Sequence, residues 1–295
     1  MNYWGGIEAG GTKFNCAIAD DDAQILVETS FPTTSPKETI EKATVFLLEQ
    51  HQRTPLSAVG IGSFGPVDLD PSSATYGHIT TTPKPGWENT DFYSKIKNSL
   101  RIPVGFDTDV NAAALGEFNL GAGKGLDSIV YLTIGTGIGG GVVIRGEPIH
   151  GLIHPEMGHI LLRRDPDKDP FPGVCPYHGD CLEGLASGPA LLARWGQPGD
   201  SLPREHLGWE LEADYIAQGL SAITMILSPQ RIILGGGVMH QLHLFPRIHR
   251  NLKHYLNGYL STPVILDNID KYVVPPRLGD RAGIIGAIVL AQKTR

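Results

Sequence analysis

Residues 132–146 read LTIGTGIGGGVVIRG, and the fold turns on the residues after the glycines. Gly135-Thr136-Gly137-Ile138-Gly139-Gly140 satisfies the G-x-G-x-x-G spacing of a dinucleotide-binding turn. Such a turn must open a helix, whose N-terminus holds the pyrophosphate. The next residues are instead Val142-Val143-Ile144, a β-branched run suited to a strand. The segment therefore reads as strand, glycine hairpin, strand, and the Rossmann interpretation is rejected. Backbone N–H groups in such a hairpin can converge on phosphate, with Thr136 and Gly137 at the tip.

The chain opens on a related design. In GIEAGGTKF, residues 6–14, Gly6 and Gly11 have P-loop spacing. The order then fails, because Thr12 precedes Lys13 and a strand-like run stands where a helix is required. Gly10, Gly11, Thr12 and Lys13 form a tight turn that is either a plain hairpin or an anion cradle with an added hydroxyl and positive charge. Gly235-Gly236-Gly237 succeeds a buried strand and precedes an expected helix. It is either an ordinary strand-to-helix turn or a flat platform for a nucleotide.

Outward from these loops, the pattern is strands in hairpin order, a helix, then further strands, and it restarts near residue 127. Ser35-Pro36-x-Glu38 signals a helix N-terminus, with Ser35 as cap. IPVGFDT (102–108) reads as a strand, VNAAALGEF (110–118) as a helix and residues 209–227 as a long amphipathic helix. Two similar α/β halves are expected: residues 1–118, with a C-terminal helix at about 280–295 packing back on them, and residues 119–279. A cleft between such halves is the default ligand site.

With 24 Lys and Arg against 31 Asp and Glu, the net charge is −7, and no long basic run exists to meet nucleic acid. The N-terminal residues lack the basic and apolar regions of a signal peptide, and no apolar run suits a membrane span. A cytoplasmic location is expected, with no membrane partner. Cys16 reads as a small buried hydrophobe. Cys175-x-x-His178-x-x-Cys181, in an irregular segment, offers two thiolates and an imidazole for tetrahedral Zn²⁺. A Cys175–Cys181 disulfide is the rival, disfavoured by a reducing cytoplasm.

Asp109 sits between a strand end and a helix start, where it is either a helix N-cap or a carboxylate presented to a ligand. Asp107 shares its side by strand alternation and is the second choice.

Taken in order, GIEAGGTKF (6–14), GIGSFGPVD (60–68), DTDVNAAALGEF (107–118), LTIGTGIGGGVVIRG (132–146), HPEMGH (154–159), CPYHGDCLEGLASGPAL (175–191) and ILGGGVM (233–239) resemble the ROK family of the actin-like ATPase (ribonuclease H-like) fold. The resemblance spans almost the whole chain and is nearest to the zinc-containing bacterial fructokinases. It implies a two-domain α/β kinase that transfers phosphate from ATP-Mg²⁺ to a hexose, fructose favoured, as a homodimer, with its active site in the interdomain cleft. The family's repressors carry a helix-turn-helix ahead of the first loop, and this chain begins at the strand. Asp109 becomes the general base. Thr108, Glu156, His159 and Glu183 become sugar contacts, and Glu8 a partner of Mg²⁺. His159 becomes the fourth ligand of a structural Zn²⁺, anchoring Glu156 and Glu183. Glu8 and Thr108 depart from the Asp and Asn usual in glucokinases. The alternatives are a kinase for glucose, mannose or an N-acetylhexosamine, and a non-catalytic sugar sensor. Intact glycine loops and Asp109 weigh against the sensor.

Overall fold

The computed structural model describes residues 2–294, which form two compact units. The first comprises residues up to Gly125, Gly141–Pro155 and Asp280 onward; the second comprises Leu126–Gly140 and Glu156–Gly279. The chain passes between the units after Gly125, Gly140, Pro155 and Gly279, where the sequence reading expects a passage after residue 118 and a return at about 280.

In the first unit the elements are β1 (Trp4–Ala9), β2 (Lys13–Ala19), β3 (Ile25–Pro32), α1 (Pro36–Arg53), β4 (Ala58–Ser63), β5 (His78–Ile79), β6 (Thr90–Asp91), α2 (Tyr93–Leu100), β7 (Val104–Thr108) and α3 (Asp109–Leu120). Ser35 caps α1, accepting from the Glu38 N–H, and Pro36 fills the first turn, where its missing N–H costs nothing. The strand order is β3-β2-β1-β4-β7. β1 and β2 are antiparallel, while β1, β4 and β7 are parallel. One core gathers Ile7, Phe14 and Ile61 of the sheet with Leu47 of α1, Ile96 of α2 and the loop residue Trp87, all buried.

The chain continues through β8 (Ser128–Ile134), β9 (Ile138–Ile144), β10 (Glu147–Pro148), α4 (Leu182–Ala186), α5 (Gly188–Trp195), α6 (Gly208–Leu227), β11 (Arg231–Gly235), α7 (Leu244–Leu256), α8 (Pro263–Leu266), α9 (Ile269–Tyr272), β12 (Val273–Val274) and α10 (Ala282–Lys293). The second sheet, β10-β9-β8-β11-β12, repeats the order of the first. β8, β11 and β12 are parallel, as β1, β4 and β7 are. The helix expected directly after Gly237 begins only at Leu244, because Gly237–His240 takes a tighter 3₁₀ turn.

α10 belongs to the first unit, where Ile288 and Ala291 pack with Trp4 and Ala58 on the sheet face opposite α1. Glycines make that contact possible. A Cβ on Gly60 would overlap the Ala287 carbonyl, and one on Gly286 would overlap the Ala112 carbonyl of α3. Among the described residues no helix is long and apolar enough to cross a membrane.

Candidate active site and metal centre

In the first unit, the parallel strands end together. Ala9 is in register with Ser63, and Ser63 with Thr108. Gly10, Phe64 and Asp109 therefore emerge one residue beyond three neighbouring strands, at about 4.8 Å per strand. The first glycine turn and Asp109 lie roughly 10 Å apart by that spacing, at the same sheet edge.

The turn itself is tight. The Gly10 N–H donates to the Lys13 carbonyl at 3.0 Å, and a Cβ at Gly10 would stand 2.9 Å from that oxygen. Gly11 faces open space, and Thr12 and Lys13 are exposed. The next element is β2, as the sequence order required.

Asp109 is the first residue of α3, and the cap is Thr108, whose hydroxyl accepts from the Asn111 N–H at 3.0 Å. Capping thus occupies the Thr108 lone pair and leaves the Asp109 carboxylate to backbone N–H groups of its own turn, those of Asp109 and, at 2.9 Å, Val110. Burial, with the Glu8 carboxylate nearby, pushes the Asp109 carboxyl up to about 7.

Asp107 does different work. Buried at 2% exposure, it accepts from the Thr108 N–H and from Asn111 Nδ2, each at 2.7 Å, and it pairs with His150 Nε2 at 3.0 Å. It braces the β7–α3 turn, and the contact raises the basicity of His150. Sequence reasoning did not single out Asn111 or His150. Asn111 had a signal, since position i+4 from Asp107 falls on the first turn of the helix. His150 had none, because only folding returns its loop to this turn. His154, in the same unit, is buried and accepts the Val67 N–H at 3.1 Å, the role of a neutral imidazole.

Glu8 accepts from Asn15 Nδ2 at 2.7 Å, and its other oxygen lies where a Cβ on Gly283 would be. Burial raises its affinity for a proton, against the pull of Asn15 and Lys13. A cation would hold the ionised form instead, so a buried carboxylate at this edge suits the Mg²⁺ that accompanies nucleotide phosphates.

In the second unit, two glycine turns meet. The Gly135 N–H donates to the Gly137 carbonyl at 2.9 Å, and the Gly135 carbonyl accepts from the Gly188 N–H, at the start of α5, at 2.7 Å. A Cβ on Gly135 would stand 3.6 Å from Gly237 N, while Gly237 itself faces open space. Gly236 has φ +88° and packs on the Ile134 backbone, and Gly235 abuts the Tyr131 hydroxyl, so neither position admits a side chain. Thr136 is exposed at the tip. Apart from Thr136, this is a surface of glycine backbone with open space over Gly237, and such backbone lets a ligand approach closely.

Glu183, in the first turn of α4, accepts the Ile138 N–H at 2.9 Å, and a Cβ on Gly137 would come within 2.7 Å of the same carboxylate oxygen. Its carboxylate thereby pins the glycine hairpin. Glu156 precedes the 3₁₀ turn Met157–His159, and its carbonyl accepts the His159 N–H at 3.1 Å.

His159, Cys175, His178 and Cys181 place one ligand atom each within 4.8 Å of all the others. The His159 Nδ1 lies 3.7 Å from Cys175 Sγ and 3.6 Å from Cys181 Sγ, and His178 Nδ1 lies 3.7 Å from Cys175 Sγ. A tetrahedral zinc with ordinary Zn–S and Zn–N bonds requires S···N edges of about 3.6 Å. The cysteines are free thiols, so the disulfide alternative is not what the structure contains. Asp169 secures the irregular loop, accepting from Tyr215 at 2.7 Å and pairing with Arg194 at 3.2 Å.

The ROK family model matches residues 4–294. A chain from Bacillus subtilis (strain 168) is 55% identical over 98% of this chain and 95% of its own length. The fructokinase of Pediococcus pentosaceus is 45% identical, covering 98% of this chain and 97% of that one. Among solved structures, the ROK hexokinase from Thermus thermophilus superposes with a TM-score of 0.79 at 27% identity, covering 99% and 98% of the two chains. The ROK family glucokinase from Streptomyces griseus, in complex with glucose and AMPPNP, superposes at 0.76 with 25% identity and 99% coverage of both. A glycine turn and the Asp109 carboxylate at one sheet edge, with the strand order repeated in the second sheet, accompany a match over the whole described length, and the chain belongs to the ROK family.

Proposed function

We propose that this chain is an ATP-dependent fructokinase, converting ATP and D-fructose to ADP and D-fructose 6-phosphate. The observation that carries the reading is 45% identity with fructokinases over nearly the full length of both chains. The glucokinase of Streptomyces coelicolor is 29% identical.

Asp109 accepts the proton of the attacking hydroxyl, whose oxygen bonds to the terminal phosphorus as the bond to the ADP oxygen breaks. Thr108, by capping α3, takes the Asn111 N–H that the carboxylate would otherwise compete for. Asp107 and Asn111 keep the turn from drifting, and drift at this point misaligns the nucleophile. Gly10, Gly11, Thr12 and Lys13 receive phosphate oxygens, as do Thr136 and Gly137, and Gly235, Gly236 and Gly237 carry the nucleoside. Mg²⁺ neutralises phosphate charge when bound, with Glu8 as its carboxylate. Glu156, His159 and Glu183 take sugar hydroxyls. Zn²⁺ at His159, Cys175, His178 and Cys181 has four protein ligands and no open position, so it is structural. The chain works in the cytoplasm as a homodimer.

An ADP-release assay with ATP-Mg²⁺ over fructose, glucose, mannose and N-acetylmannosamine tests the reading. Fructose should give the highest kcat/KM. Glucose equal to or better than fructose refutes the substrate, and no turnover on any hexose refutes the kinase and restores the sensor.

A further inference from the structure

Between β5 and β6 the sequence TTTPKPGWEN carries one lysine, Lys84, flanked by Pro83 and Pro85. The stretch is held at one point. Trp87 is fully buried, its indole N–H donates to the Thr34 carbonyl at 2.8 Å, and its ring meets Phe64 edge-on at 5.2 Å and lies 5.7 Å from Phe14. Phe64 comes directly after β4, the strand that separates β1 from β7 in the sheet. The anchor therefore returns the loop to the edge between the glycine turn on one side and Asp109 on the other. Two prolines limit how far the intervening backbone can wander, and the Trp87 N–H closes the turn on the Lys84 carbonyl at 3.2 Å.

The side chain then reaches the phosphate turn. Lys84 Nζ donates to the Thr33 carbonyl at a long 3.4 Å. Thr33 is itself bonded to the turn twice, its hydroxyl to the Gly10 carbonyl at 2.7 Å and its N–H to the Thr12 carbonyl at 2.9 Å. The ammonium thus stands one residue away from Gly10–Lys13. It is half-buried, and among the described residues no carboxylate lies within ion-pair distance of it. An ammonium offers three donors, and this one spends a single donor on a weak bond. Holding a cation partly out of water without a counter-charge is unfavourable unless an anion arrives.

We propose that Lys84 binds the phosphoryl group on the sugar side of the reaction, taking a phosphate oxygen as the group passes to the hexose and holding it on the product. Lys13 lies within the glycine turn and is the nearer cation for the nucleotide. Lys84 stands beside that turn through Thr33, on a loop whose anchor Trp87 also meets Phe64, one strand nearer the base. This inference rests on the kinase reading.

The test is calorimetric binding of fructose and of fructose 6-phosphate to the wild-type chain, Lys84→Met and Lys84→Arg, after wild-type turnover on fructose has been recorded. Lys84→Met should weaken fructose 6-phosphate by about 10- to 100-fold, the equivalent of one charge-assisted hydrogen bond. Fructose affinity should stay within about twofold, since no charge is involved. The kcat should fall with the KM for fructose unchanged, and Lys84→Arg should recover most of the product affinity. Unaltered product affinity in Lys84→Met overturns the inference, as does a parallel loss of fructose and fructose 6-phosphate, which would mark Lys84 as a prop for the loop. A wild-type chain inactive on fructose fails the function reading itself. A chain that turns over while its Lys84 variants bind product normally fails only this inference.

Discussion

Asp109 and Asp107 are two residues apart on one strand end, yet they occupy opposite conditions. Asp107 is enclosed by three donors, which hold a carboxylate in place and leave it nothing to offer a substrate. Asp109 meets backbone N–H groups of its own turn and is raised to about 7 by burial and by Glu8. A base must be ionised to act, so kcat/KM should fall about tenfold per pH unit below that value and level off above it. Asp109→Asn should cost at least ~10²-fold in turnover, the usual loss for a general base, while sugar binding persists. The same shift acts on stability with the opposite sense. The folded state holds the proton between the ordinary carboxylate range and about 7, where the unfolded chain has released it. Native stability therefore declines as pH rises through that window, and Asp109→Asn escapes the decline. At pH 8 the variant should melt above the wild type, with the gap vanishing near pH 4. A gap that ignores pH, or near-normal turnover, would remove Asp109 from this role.

Between β10 and α4 the chain has little regular structure, and its order comes from cross-links instead. Cys175 and Cys181 are buried, and they gather with the half-buried His159 and the exposed His178 around one point. Cys181 is also the residue immediately before α4, two positions from Glu183. A metal there fixes where α4 begins, hence where Glu183 meets the Ile138 N–H. Purified protein should carry about one zinc per chain. Cys181→Ser should lose most of it, lower the Tm by several degrees and raise the KM for sugar by about tenfold, the scale on which support for a site is felt. Elemental analysis and steady-state kinetics on the same preparation read both effects. Metal-free wild-type protein with full activity would contradict the assignment.

The first unit is closed by the far end of the chain. α10 comes after the whole second unit in sequence and then covers β1, β4 and α3. Its approach to α3 is so near that Gly286 meets the Ala112 carbonyl, while Gly116 of α3 would put a Cβ 2.7 Å from the Ala282 carbonyl. Gly286→Ala should therefore force the helices apart and destabilise by about 1–3 kcal/mol, the range for overpacking. The first unit should melt earlier in calorimetry while zinc content, a property of the second unit, is retained. An unshifted first transition would show that the helices can part at no cost.

The strand–glycine–strand segments, the helix caps, the acidic net charge and the Cys-x-x-His-x-x-Cys spacing are local, and residues 6–14, 132–146 and 175–181 declare them without help. Each depends on backbone preferences or on a few neighbouring side chains. Strand alternation puts Asp107 and Asp109 on the same side, and the family resemblance alone put Asp109 first. Their different surroundings come from a hydroxyl cap by Thr108 and from His150, which is 43 residues from Asp107 along the chain. Trp87 setting Lys84 beside the glycine turn through Thr33, more than fifty residues distant, is of the same kind. Local pattern writes periodicity and turns, since those interactions act over a few residues. Which charge is satisfied and which is left for a ligand depends on partners brought from elsewhere in the chain, and only the packed structure specifies those.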